Sequence, residues 1–132
     1  MRIMVDTNIL VSIAVFKSRI LTDLFSHICL RHKLVLSTYI IDEFERVVEK
    51  KFSSKMANVS AFLQKLPFEL EYTPFPLPND YLFTIRDIKD APILYSAISA
   101  DVDILITGDN DLLTVEIDRP LITTASIFME GL

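Results

Sequence analysis

The chain has 132 residues, 51% of them hydrophobic, with a mean hydropathy of +0.39; this suits one packed domain over residues 1–132 and excludes a disordered tract. A formal charge of −5 and a pI near 4.9 disfavour a broad nucleic-acid-binding face, and no apolar run reaches the roughly 20 residues that span a bilayer. Asp6 and Asn8 interrupt the first apolar segment before it can act as a secretory signal, and the single cysteine, Cys29, excludes an internal disulfide, so the expected compartment is the cytoplasm.

Ile3-Met4-Val5 is too short an apolar run for a helix and stops at the cap-type residues Asp6-Thr7-Asn8, which predicts a buried strand. A short helix is expected over Asn8–Phe16, then an amphipathic one over Ser18–Arg31 with Ile20, Leu21, Leu24, Phe25 and Ile28 on one side. Leu34-Val35-Leu36 reads as a second strand, ending at Ser37-Thr38, which can cap a helix whose apolar stripe is Ile40, Ile41, Phe44, Val47 and Val48. A further helix is predicted over Ser53–Leu66, closed by Pro67, and a third strand over Phe68–Tyr72. The three prolines within Thr73–Asn79 exclude a helix and predict a surface connector. Helix resumes over Asp90–Ala100, with Pro92 tolerated in its first turn. Ile104-Leu105-Ile106 is the next strand, followed by a sharp turn in which Gly108 is free to take a positive φ. A strand over Pro120–Ile122 and a helix over Thr124–Glu130 complete the chain. Strands alternating with helices predict an α/β fold, a three-layer α/β/α sandwich around a central, mainly parallel sheet.

In such a sheet, ligands collect beyond the carboxyl ends of the strands. Asp6 and Asp109 follow buried strands directly, Glu43 lies in the first turns of the helix after the second strand, and Asp90 opens the helix leading to the Ile104 strand. Hard divalent cations such as Mg²⁺ or Mn²⁺ take oxygen ligands of this kind, and a cluster of acids repels itself when empty. Each residue also has a purely structural alternative: Asp6, Asn8 and Asp90 as helix caps, Glu43 as an exposed helix acid, and Asp109 and Asp111 as turn formers. Arg46, Lys50, Lys51 and Lys55 cluster as a candidate local basic face, and Lys17 and Arg19 as another, against the alternative of a solvated helix face with Glu45 and Glu49 neutralising part of the first cluster. His27 and His32 flank Cys29 on an amphipathic helix, where surface or core roles account for them better than a zinc site.

The spacing of Val5-Asp6-Thr7-Asn8, Ser37 with Asp42-Glu43-Phe44, Asp87-Ile-Lys-Asp90-Ala91 and Leu105 through Leu112 resembles the PIN domain family, closest to the toxin components of toxin–antitoxin systems. The resemblance implies that Asp6, Glu43, Asp90 and Asp109 are the catalytic ligands of Mg²⁺ or Mn²⁺. It further implies that Asp111 assists and that Asn8 and Thr107 support the site through hydrogen bonds; whether Asp87 joins Asp90 stays open. The implied activity is metal-dependent endoribonucleolytic hydrolysis of single-stranded RNA, in a homodimer held inactive by an antitoxin protein. A catalytically silent PIN-like module that binds RNA or a protein is the rival reading. Other classes fit less well. A haloacid-dehalogenase-type phosphatase needs a second aspartate where Asn8 stands, a receiver domain needs an acceptor aspartate where Ser37 follows the second strand, and two glycines are too few for a nucleotide-binding phosphate loop.

Overall fold

The computed structural model describes residues 1–79, 81 and 83–131. Its centre is a five-stranded, all-parallel sheet in the order β3-β2-β1-β4-β5, with helices on both faces. The strands are β1 (Arg2–Val5), β2 (Lys33–Ser37), β3 (Glu69–Glu71), β4 (Ile104–Ile106) and β5 (Leu121–Thr123). The helices are α1 (Thr7–Ala14), α2 (Arg19–Arg31), α3 (Thr38–Lys51), α4 (Met56–Lys65), α5 (Ala91–Ser99), α6 (Asn110–Leu113) and α7 (Ala125–Glu130).

The three inner strands are the continuous apolar runs of the sequence. Ile3, Met4 and Val5 pair in register with Ile104, Leu105 and Ile106, and all six are buried, as a strand covered on both faces requires. The helices add Leu24, Phe25 and Ile28 from α2 and Ile40, Phe44 and Val48 from α3 to the same core. Among the described residues, no helix is long and apolar enough to cross a membrane.

Several local expectations shift. Ile20 is 66% exposed: it lies off the core-facing side of α2, whose first turn reaches the core through the partly buried Leu21 and whose first fully buried residue is Leu24. The helix expected from Ser53 opens with a 3₁₀ turn at Ser53–Lys55, and the one expected from Asp90 is preceded by another at Ile88–Asp90. Gly108 does not take a positive φ. The turn after β4 is built by side chains instead: Thr107 Oγ1 accepts from the Asp109 amide at 3.0 Å, and Asp109 Oδ1 accepts from the Asp111 amide at 2.8 Å, starting the short helix α6.

The strand order reverses its direction of growth between β1 and β4, because β2 and β3 are added on one side of β1 and β4 and β5 on the other. The loops leaving these two neighbours diverge, opening a crevice at their carboxyl ends. Asp6, which follows β1, and the Thr107–Asp111 turn, which follows β4, stand at that crevice.

Candidate metal centre

Asp6 follows Val5 at the end of β1, and only 4% of it is exposed. Two donors hold its carboxylate: the Thr7 amide reaches Oδ1 at 2.6 Å and the Thr107 hydroxyl reaches Oδ2 at 2.7 Å. Burial nevertheless pushes its pKa up; these hydrogen bonds offset part of that rise, and the negative charges of Glu43 and Asp109 add to it. The capping role open to Asp6 in the sequence is real, through the Thr7 amide at the start of α1. It occupies one oxygen and leaves the carboxylate bridging β1 to the end of β4.

Glu43 is brought to Asp6 by α3. The Ser37 side chain caps this helix by accepting from the Ile40 amide at 3.1 Å, and the buried Phe44 fixes its rotation against the sheet. Thr7 Oγ1 donates to Glu43 Oε1, tying α3 to the start of α1. The hydrogen bond that the resemblance gives to Asn8 thus falls to its neighbour: Asn8 is exposed in the first turn of α1 and makes no side-chain hydrogen bond among the described residues. Thr7 lies inside the quoted motif, but nothing in the sequence marks it as the residue that reaches a partner 36 positions away.

Asp90 ends the 3₁₀ turn before α5 and makes no capping hydrogen bond; Asp87 caps that turn instead, accepting from the Lys89 amide at 3.0 Å. The structural alternative for Asp90 is therefore not taken up. Its Oδ2 is buried without a partner among the described residues. Burial first, then the charge and proximity of Asp109, with the charges of Asp87 and Asp6 adding to them, push the Asp90 pKa up to about 7. Carboxylate oxygens of Asp87, Asp90 and Asp111 also lie within 4.8 Å of one another. Asp90 thus belongs both to this trio and to the electrostatic neighbourhood of Asp6 and Asp109.

The four acids expected at strand and helix ends are brought together, with Asp111 and Asp87 at one side of them. An oxygen-only donor set, a buried carboxylate oxygen with no partner among the described residues, and an Asp90 pKa pushed up by burial and then by neighbouring charge fit a hard divalent cation. Asp87, Asp90 and Asp111 are the acids whose oxygens lie close enough together to share one, with Asp6 and Asp109 in the electrostatic neighbourhood of Asp90 and Glu43 in that of Asp6.

Two other features border the centre. Arg86 Nη2 pairs with Asp111 Oδ1 at 2.8 Å. On the other side lies a groove of about 600 Å³ lined by Tyr39, Arg46, the fully exposed Phe75 and several prolines, with Asp42, Glu45 and Glu49 on its wall. Tyr39 connects groove and centre: its hydroxyl donates to the Lys89 carbonyl at 3.1 Å, and burial with the nearby Glu43 charge raises its pKa. Arg46 faces this acidic wall, and Lys50 is exposed one turn further along α3 and does not line the groove. His27 and His32 pack together beside Phe128, away from these acids, and no cluster of three ligating groups forms around Cys29 among the described residues.

A parallel sheet with acids gathered at its switch point defines the class to which this chain belongs: a model of the PIN domain family matches residues 2–111, and the chain is a member of that family, whose domains are generally nucleases. In structure it is similar to a chain of VapBC2 from Rickettsia felis, crystallised bound to a DNA fragment from their promoter, with a TM-score of 0.69 and 17% identity over 93% of this chain and 97% of that one. At that identity the likeness is one of fold. No curated protein matches the chain in sequence.

Proposed function

We propose that this chain is a Mg²⁺- or Mn²⁺-dependent endoribonuclease that hydrolyses phosphodiester bonds of single-stranded RNA in the cytoplasm, as the toxin of a toxin–antitoxin pair. The observation that carries this reading is the gathering of Asp6, Glu43, Asp90 and Asp109 from four separate segments, together with a buried Asp90 oxygen that has no partner among the described residues. The family's general nuclease character supports the reaction class, and the VapBC2 likeness supports an antitoxin partner.

A divalent ion, when bound, supplies positive charge to the phosphate and lowers the pKa of the attacking water. The chain's own residues do the rest. Asp6 is held by two hydrogen bonds, so it presents a fixed carboxylate without rearrangement. Glu43 is oriented by Thr7, and Thr107 fixes Asp6 and the Asp109 backbone together. Asp90, its pKa pushed up to about 7, would have to lose its proton to hold a cation, which would couple occupancy to pH. Asp111 assists from the rim, where it is paired with Arg86. No side-chain nucleophile is needed, since water attacks the phosphorus directly. Arg46 and Lys50 remain candidates for more distant contacts to the RNA backbone, and a homodimer is the expected assembly.

Purified protein should cut single-stranded RNA with Mg²⁺ or Mn²⁺ and stop on chelation. Asp6→Asn and Asp90→Asn should abolish cutting while leaving the circular-dichroism spectrum unchanged. Cleavage that persists in excess chelator overturns the reading, and metal-loaded protein that binds RNA without cutting it favours the silent binding module.

A further inference from the structure

We propose that Arg86 is the phosphate clamp of this centre, a residue that grips the RNA backbone at the acidic site; the assignment rests on the nuclease reading above. The centre has an electrostatic problem. Asp6, Glu43, Asp87, Asp90, Asp109 and Asp111 gather at one rim of the sheet, and a polyanion approaching them meets repulsion unless fixed positive charge stands beside them. Among the described residues, Arg86 is the one arginine or lysine ion-paired to any of these acids, with Nη2 2.8 Å from Asp111 Oδ1.

Its placement suits a second anion. The Arg86 side chain is 84% exposed although its partner carboxylate is only 19% exposed, so the guanidinium sits at the mouth of the cluster and engages it through one edge. A guanidinium carries five N–H donors in a planar fork that matches two oxygens of a phosphate, and Asp111 engages only Nη2 of this largely exposed side chain. The next residue, Asp87, caps the turn that presents Asp90, so Arg86 directly precedes the turn bearing the carboxylate with the unpartnered oxygen. The cations that the sequence offered are less well placed: Arg46 Nε is directed at the Asp42 carbonyl at 3.4 Å, in a groove walled by Asp42, Glu45 and Glu49.

The test measures binding and cleavage separately. Binding of a fluorescent single-stranded RNA is followed by anisotropy in Mg²⁺ at several salt concentrations, in an Asp6→Asn background that prevents turnover, with and without Arg86→Ala or Arg86→Lys. Arg86→Ala should weaken binding about tenfold or more, as expected for losing a charge-assisted contact. It should also flatten the dependence of log K on log salt by about 0.7, the contribution of one phosphate of a single strand. Arg86→Lys should keep the salt slope and recover only part of the affinity, because an ammonium lacks the fork. In the otherwise unmodified enzyme, Arg86→Ala should raise KM with little change in the Mg²⁺ concentration for half-maximal cleavage.

A purely structural role predicts the opposite. If Arg86 only neutralises Asp111, its loss tightens Mg²⁺ and leaves RNA affinity and salt slope unchanged, which overturns the proposal. Protein that binds RNA through Arg86 yet never cuts it sinks the nuclease reading and leaves the clamp standing, and protein that binds no RNA sinks both.

Discussion

Thr107→Val tests the centre at the point where its architecture is most concentrated. Thr107 is fully buried, and its single hydroxyl does two things: it donates to Asp6 Oδ2 at 2.7 Å and accepts the Asp109 amide at 3.0 Å. Valine keeps the shape and removes both bonds. A hydrogen bond to a charged group contributes about 1.5–3 kcal/mol, and leaving a neutral amide unpaired costs about 1 kcal/mol more, so the loss in metal-free protein near neutral pH should be about 3 kcal/mol. That is a large share of the roughly 5–15 kcal/mol that holds a domain of this size together. The loss should also depend on pH. The Asp6 pKa is already raised by burial, and Thr107 is the leading influence lowering it. Removing the hydroxyl raises it further, so the folded variant retains its proton over a wider range than the unfolded chain does. Its stability is then highest in acid and falls as pH rises through the folded pKa of Asp6. Urea denaturation in chelator should therefore show a deficit that grows as pH rises through the folded pKa of Asp6, with Thr107→Ser close to the parent protein throughout. A deficit below about 1 kcal/mol at neutral pH would refute the assignment of this hydroxyl to an ionised Asp6.

Asp90→Asn should have opposite effects on stability and activity. With the Asp90 pKa raised from 3.8 to about 7, the folded chain binds more protons than the unfolded one between those values, so metal-free stability declines as pH rises through that window. The asparagine variant should lose this decline, with a melting temperature above the parent's at alkaline pH, while cleavage is lost; a parallel pH profile in the two proteins counts against the raised Asp90 pKa. Mn²⁺ or Mg²⁺ should raise the melting temperature of the parent protein, by the equivalent of about 2.7 kcal/mol at one hundred times the dissociation constant, and more strongly at alkaline pH, where no proton must leave. A metal shift that survives Asp90→Asn unchanged argues for a different binding place. Phe44→Ala, beside Glu43 on α3 and wholly buried, should cost about 3–5 kcal/mol by urea denaturation, and a cost under about 1 kcal/mol would show that this ring does not anchor the helix.

Which parts of this molecule can be read from its letters follows from how far each depends on distant contacts. The inner strands are legible because burial on both faces demands unbroken apolar runs, and Ile3-Met4-Val5, Leu34-Val35-Leu36 and Ile104-Leu105-Ile106 supply them. The end of each run then marks a position at the sheet rim, which is why Asp6 and Asp109 could be singled out without coordinates. Glu43 and Asp90 are harder, since an acid on a helix is ordinarily exposed; what points to them is the resemblance of their spacing to a known family. The turn after β4 misleads because glycine offers one route to a tight reversal and Thr107 with Asp109 offers another, and only the second also fixes the Asp6 carboxylate. Thr7 and Arg86 lie beyond sequence reading for a shared reason: each matters through a partner on a different segment, Glu43 for one and Asp111 for the other. Local pattern locates the carboxylates, whereas tertiary packing selects the residues that orient and neutralise them. Substitutions at Thr7, Arg86 and Thr107 therefore test the structure more severely than substitutions at the acids, because the sequence pattern alone already nominates the acids.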